Sequence, residues 1–108
     1  MLVLFDNSTP RTLARYLLEH HTITEARARG WGPLENGALL DAAEAVGFEV
    51  FVTADKNLSY QQDLTKRTIA IVVLGKGRWS LIKPHVAKII AAVNAATPGS
   101  FAEVDITY

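Results

Sequence analysis

At residues 69–74 the sequence reads IAIVVL, an apolar run that ends at the glycine-containing stretch 75–77. A run of this kind, rich in β-branched residues, is typical of a strand covered on both faces of a parallel sheet. Outward from it, LVLF at residues 2–5 and FEVFVT at residues 48–53 have the same strand-forming character. Shorter strands are predicted around residues 22–24 and, at an edge of the sheet, over residues 101–106.

Helical patterns separate these strands. Four helical segments are predicted, over residues 10–19, 37–46, 58–64 and 81–96. Thr9 and Pro10 suit the N-cap and first position of the first helix, and Asn36 suits the N-cap of the second. Because parallel strands need crossover connections, this alternation predicts one α/β domain over residues 1–108. Its central sheet is expected to be mostly parallel, with helices on both faces.

Composition narrows the classes of protein. The chain has 108 residues, 49% hydrophobic and 20% charged, which is enough to bury a core. It has no cysteine, which excludes a disulfide scaffold, a thiolate zinc site and a cysteine nucleophile. No apolar run is long enough to cross a bilayer and no signal sequence is evident, so we expect a cytoplasmic protein without membrane contact.

Charge is balanced in total but not along the chain. Eleven basic and eleven acidic residues cancel, so any contact with nucleic acid must be local. Residues 1–55 carry four basic and eight acidic side chains, whereas residues 56–108 carry seven and three. One interpretation is an acidic pocket from the first half flanked by cations from the second; the other is a solvated surface with chance clustering.

Two aspartates follow predicted strands, Asp6 after the first and Asp55 after the segment at 48–53. Ligands of open α/β sheets bind beyond the carboxyl ends of the strands. Carboxylates brought together there repel each other, and Mg²⁺ or Mn²⁺ would compensate them while activating water and stabilising a phosphodiester. Alternatively, Asp6 begins an Asx turn and Asp55 caps the segment that follows it.

Five segments, in order, resemble the compact PIN-like proteins related to VapC-type toxins. They are LFDN at 4–7, NGALL at 36–40, FVTADKNL at 51–58, YQQ at 60–62 and IVVL at 71–74. The most specific part is Thr53-Ala54-Asp55, a Thr-x-Asp that follows a hydrophobic strand. The resemblance runs from residue 2 to about residue 96.

This resemblance implies a Mg²⁺- or Mn²⁺-dependent ribonuclease, often the toxin of a toxin–antitoxin pair. Asp6 matches the first acidic position of the family, Asp55 the last, and Asn36 the position where a further acidic residue is usual. An amide can ligate a metal but brings no charge. Three acidic residues are open as substitutes for it: Glu25, Glu35 and Asp41.

Further side chains have candidate roles around these aspartates. Three polar residues are expected to orient carboxylates or water: Ser8, Thr53 and Asn57. Four cations are expected near strand ends or a helix start, where they would position RNA without reading its sequence: Arg11, Lys56, Lys76 and Arg78. In the plainer alternative, the hydroxyls only form hydrogen bonds with nearby backbone groups. The four cations are then isolated charges on the surface.

Two other functions are open. The amide at Asn36 and the zero net charge are compatible with a PIN-like module that binds a protein without catalysis. An aspartate after the third strand and a lysine after a later one, Asp55 and Lys76, also suit a receiver-like phosphoacceptor domain. The expected partners of the leading hypothesis are RNA and an antitoxin encoded nearby, with a homodimer also open.

Overall fold

A five-stranded sheet organises the chain in the computed structural model, which describes residues 1–58 and 63–106. The strands are β1 (Leu2–Phe5), β2 (Thr22–Glu25), β3 (Val50–Thr53), β4 (Ala70–Val73) and β5 (Phe101–Glu103). They lie in the order β2-β1-β3-β4-β5, and every neighbouring pair is parallel. The predicted α/β class with a parallel central sheet is therefore confirmed.

Helices cover both faces of the sheet and complete a three-layer α/β/α arrangement. Among the described residues they include α1 (Asn36–Val46), α2 (Trp79–Ile82) and α3 (Val86–Asn94), with short 3₁₀ helices at Arg11–Tyr16, Ala26–Arg29 and Lys83–His85. Successive strand residues point to opposite faces, so Val3 and Phe5 pack with Leu13 and α3, whereas Leu4 packs with α1. Two apolar cores result, one on each side.

The order of the strands fixes where a ligand would bind. The connection that leaves β1 leads outward to β2, whereas β3 lies on the other side of β1. The segment after β1 contributes Leu13 to one core, and Leu58 after β3 contributes to the opposite one. The connections after β1 and β3 therefore leave on opposite faces of the sheet. The gap between the carboxyl ends of these two strands is the switch point, where doubly wound sheets bind ligands.

The first predicted helix is wrong in type. The segment after Pro10 is a 3₁₀ helix over Arg11–Tyr16, and Pro10 is extended at its N-cap with ψ 132°. The Thr9 hydroxyl does not cap this helix, because its single proton is shared between Asp6 Oδ1 and the Val52 carbonyl oxygen. The turn closes through a bond from Leu13 N to the Pro10 carbonyl three residues earlier, the pattern of a 3₁₀ helix.

The ends of other elements also differ from prediction. Asn36 is the first residue of α1, not its N-cap; Glu35 has that position and makes no side-chain cap. The last helical run begins at Trp79 and ends at Asn94, and it narrows to 3₁₀ geometry around Pro84, which has no N–H for an α-helical bond. β5 ends at Glu103, earlier than predicted. The predicted helix at 58–64 and the segment Tyr60–Gln62 lie partly or wholly outside the described residues.

An ion-pair cluster ties α1 to the start of β4 at the amino ends of the strands. Arg67 Nη1 donates to Asp41 Oδ1 at 2.5 Å and to Glu44 Oε1 at 2.6 Å. Glu44 Oε2 accepts from the backbone and hydroxyl of Thr68 and from Ile69 N. Partial burial raises the pKa of Glu44, but these hydrogen bonds outweigh it and lower the pKa to about 2.

Within residues 1–58 and 63–106, no helix combines the length and apolar character that crossing a membrane requires.

Candidate functional site

Asp6 lies immediately after β1 and is almost fully buried, with 9% of its surface exposed. Its Oδ1 accepts hydrogen bonds from Ser8 N at 3.1 Å, Ser8 Oγ at 2.7 Å and Thr9 Oγ1 at 2.8 Å. Its Oδ2 accepts from Thr53 Oγ1 at 2.5 Å. Four donors therefore compensate the burial of this carboxylate.

Thr53 connects the two aspartates. It is fully buried at the end of β3, and its hydroxyl donates to Asp6 while accepting from Asp55 N at 3.1 Å. A hydroxyl can donate once and accept twice, so one side chain fixes both the Asp6 carboxylate and the backbone that carries Asp55. The Thr-x-Asp pattern thus has a direct structural basis: the threonine sets the position of the aspartate two residues later.

Asp55 is more accessible than Asp6, being of intermediate burial. Its Oδ1 accepts from Asn57 N at 2.9 Å, which forms an Asx turn at the end of β3. Its Oδ2 lies 3.4 Å from Asn36 Nδ2, so the first residue of α1 reaches across to the end of β3. Hydrogen bonds therefore connect the Asp6 carboxylate to the backbone of Asp55 through Thr53, and the Asp55 carboxylate to Asn36, at the carboxyl edge of the sheet.

Ser8 joins the loops that follow β1 and β3. Its Oγ donates to Asp6 and accepts from Ala54 N at 3.1 Å. The loop after β4 closes on the same point, because a Cβ at Gly77 would lie 3.0 Å from the Ser8 carbonyl oxygen. Only glycine allows that approach without a shift of backbone, so three loops converge on the carboxyl edge of the sheet.

One contributor was missed by sequence reasoning. Thr9 has the sequence signature of a helix cap, yet its buried hydroxyl lies 2.8 Å from Asp6 Oδ1 and 2.9 Å from the Val52 carbonyl oxygen, which share its single proton. The available signal was the spacing itself, since a hydroxyl residue three positions after an aspartate can fold back on the carboxylate in a tight turn. Asn57, expected to orient carboxylates, does so through its backbone N–H.

In the part of the chain that the structure describes, none of the three acidic residues that could substitute for Asn36 forms a hydrogen bond with the network around Asp6 and Asp55 described above. Glu25 ends β2, next to β1, and pairs with Arg11 at 3.1 Å. Asp41 pairs with Arg67 at the opposite end of the sheet, and Glu35 is exposed at the N-cap of α1. The described residues contain no group of three acidic or histidine side chains able to hold a metal ion.

The four candidate phosphate contacts occupy three places along the carboxyl edge of the sheet. Arg11, with its side chain 76% exposed, is on the β2 side with Glu25. Lys56 and Lys76 line one cleft beside the ends of β4 and β5. Arg78 is exposed at the N-cap of α2. Cations therefore flank the aspartates on both sides along the carboxyl edge.

Comparison of the chain with protein-family models, with curated proteins and with solved structures finds no match. The fold and the site define a parallel α/β domain with two carboxylates and an amide at the switch point of the sheet.

Proposed function

We propose that the chain is a Mg²⁺- or Mn²⁺-dependent ribonuclease of the PIN-like kind, which hydrolyses a phosphodiester at the switch point between β1 and β3. The observation that carries the proposal is the hydrogen-bonded series from Asp6 through Thr53 to Asp55 and Asn36. Two carboxylates from distant parts of the chain, Asp6 and Asp55, follow adjacent strands at the carboxyl edge, where open α/β sheets bind their ligands, and this supports the proposal.

The donor set fits a hard divalent cation. Carboxylate and amide oxygens are the ligands that Mg²⁺ and Mn²⁺ prefer, and Mg²⁺ is commonly held by one or two carboxylates with water and phosphate oxygens completing its shell. Asp55, Asp6 and the Asn36 amide oxygen would hold it. Such an ion, when bound, activates water and stabilises the charge that develops on a phosphodiester.

The chain's own residues divide the remaining work. Thr53 and Ser8 fix Asp6 and the Asp55 backbone, so the carboxylates need little reorganisation. Asp55, the more exposed of the pair, faces the substrate side. Lys56 and Lys76 contact phosphate groups and position the RNA strand.

The biological role follows from the resemblance to VapC-type toxins. In that role the partner is a small antitoxin protein, and the acidic tail of such a partner would meet the cationic second half of the chain. The protein then acts in the cytoplasm, where its RNA substrate is found.

The test is cleavage of a labelled single-stranded RNA in Mg²⁺ or Mn²⁺ and in EDTA. Asp55→Asn keeps the shape of a partly exposed side chain and should abolish metal-dependent cleavage. Asp41→Asn is the matched control, because Asp41 pairs with Arg67 at the far edge and should leave cleavage unchanged. Wild-type cleavage by the Asp55 variant would refute the proposal.

A second candidate is a PIN-like module that binds a protein without catalysis. The observation that favours it is the saturation of Asp6, whose two carboxylate oxygens already accept four hydrogen bonds within the chain. Calorimetric titration with Mn²⁺ separates the two: a folded wild-type chain that binds no Mn²⁺ at millimolar concentration supports the module and contradicts the ribonuclease.

A further inference from the structure

A cleft of 330 Å³ lies beside the candidate site, at the carboxyl ends of β4 and β5. This volume is at the lower end of the range for sites that bind small molecules. Four buried residues contribute the apolar part of its lining: Val73, Leu74, Val104 and Ile106. The cleft therefore offers an apolar surface next to the loop that carries Asp55.

Charged side chains of both signs line this cleft. Lys56 and Lys76 come from the loops after β3 and β4, whereas Glu103 and Asp105 come from β5 and the residues after it. Gly75 has a φ of 73°, a left-handed conformation that L side chains rarely adopt, and it turns the chain directly before Lys76. The cleft thus presents two ammonium groups from the loops after β3 and β4, and two carboxylates from β5 and the residues that follow it.

We propose that this cleft binds a guanine nucleotide, with its phosphate on Lys56 and Lys76 and its base on Glu103 or Asp105. Ammonium groups bind phosphate oxygens through charge-assisted hydrogen bonds. A carboxylate accepts hydrogen bonds with both oxygens, and guanine presents two adjacent donors, N1–H and the N2 amine, on its pairing edge. Uracil presents a single N–H between two carbonyl oxygens, which would face the carboxylate unfavourably.

Placement beside Asp55 connects the cleft to the reaction. Lys56 lines the cleft and directly follows Asp55, so we expect a nucleotide in the cleft to lie near a phosphodiester held at the candidate site. Reading of single-stranded RNA by its exposed base edges is the usual mode of specificity. Preference for cleavage next to guanine rests on the proposed ribonuclease function, whereas nucleotide binding by the cleft does not.

The experiment measures binding of fluorescein-labelled oligouridine that carries guanosine, inosine or no substitution at its central position. Fluorescence anisotropy is recorded in EDTA at several salt concentrations. We expect the guanosine probe to bind roughly tenfold more tightly than the other two, because inosine lacks the N2 amine and a good base contact contributes about that factor.

Variants separate the two halves of the cleft. Lys56→Gln and Lys76→Gln should each weaken binding of all three probes alike and lower the salt dependence by about one unit of slope. Glu103→Gln or Asp105→Asn should remove the preference for guanosine without weakening the oligouridine. Lys66→Gln is the control, since Lys66 is an exposed lysine that precedes β4 at its amino end.

Each outcome has a definite meaning. Equal binding of the three probes by the wild-type chain would overturn base recognition, and wild-type binding by both lysine variants would overturn phosphate recognition. Competition by 5′-GMP as strong as by the guanosine probe supports a free nucleotide as ligand, and weaker competition supports a residue of a strand. Loss of guanosine preference leaves the Asp55→Asn cleavage test untouched, so the two proposals fail separately.

Discussion

Removal of the Thr53 hydroxyl should destabilise the whole carboxyl edge of the sheet. In Thr53→Val the side chain keeps its shape, but Asp6 Oδ2 loses its donor and Asp55 N loses its acceptor. Thr53 is fully buried and Asp6 is 9% exposed, so water has little access to replace the lost donor. A hydrogen bond to a charged group contributes about 1.5–3 kcal/mol, so we expect the free energy of unfolding to fall by about 2–3 kcal/mol.

Urea denaturation followed by circular dichroism measures this loss, and thermal unfolding should show a midpoint lowered by about 8–12 °C. Thr53→Ser is the matched control, because it keeps the hydroxyl and removes one buried methyl group, at a cost of about 1 kcal/mol. If the valine variant is as stable as wild type, or the serine variant is the weaker of the two, then the hydroxyl does not hold this edge together.

Three further perturbations test other parts of the molecule. Glu44→Gln should reduce the loss of stability that acid causes. The pKa of Glu44, lowered from 4.5 to about 2 in the folded state, gives the wild-type chain stability that is present above pH 4.5 and lost as the pH falls towards 2. Urea denaturation at several pH values across that window measures the difference between the two chains. Gly77→Ala should lower the free energy of unfolding by about 1–3 kcal/mol, because its Cβ would press on the Ser8 carbonyl oxygen. Gly32→Ala is the control and should change stability little, since its nearest neighbour is 3.8 Å away. Equal melting temperatures of the two variants would contradict the close approach at Gly77. Asn36→Asp should lower the free energy of unfolding in EDTA by about 1–4 kcal/mol, because the new carboxylate would repel Asp55. Adding Mn²⁺ should restore the stability of this variant. If the metal restores nothing, no cation binds at this place.

The sequence predicts the sheet well because its strands are short, apolar and bounded by glycine or polar residues. The run at 69–74 contains β4, and the run at 2–5 coincides with β1. Strand order is less accessible from sequence, because the pairing of β1 with β3 joins residues nearly fifty positions apart. Once that order is known, the placement of Asp6 beside Thr53 follows from strand register.

Helical type and capping are harder to predict, since both depend on tertiary contacts. Thr9 before Pro10 has the local signature of a cap, yet its hydroxyl serves Asp6 from the neighbouring turn. Asp41 illustrates the same limit within the candidate site: it is one turn from Asn36 on the helix, but its carboxylate pairs with Arg67. Helical periodicity places it on α1 and does not say which end of the sheet it serves.

The two ends of the sheet hold different kinds of polar cluster. Arg67 and Glu44 fasten α1 to β4 at the amino ends, while Asp6, Thr53 and Asp55 occupy the carboxyl ends. Substitutions at the carboxyl ends of the strands could therefore change the reactive groups, while the ion pairs at the amino ends kept the fold intact. Divergence in chemistry and persistence of shape are separable in such a molecule.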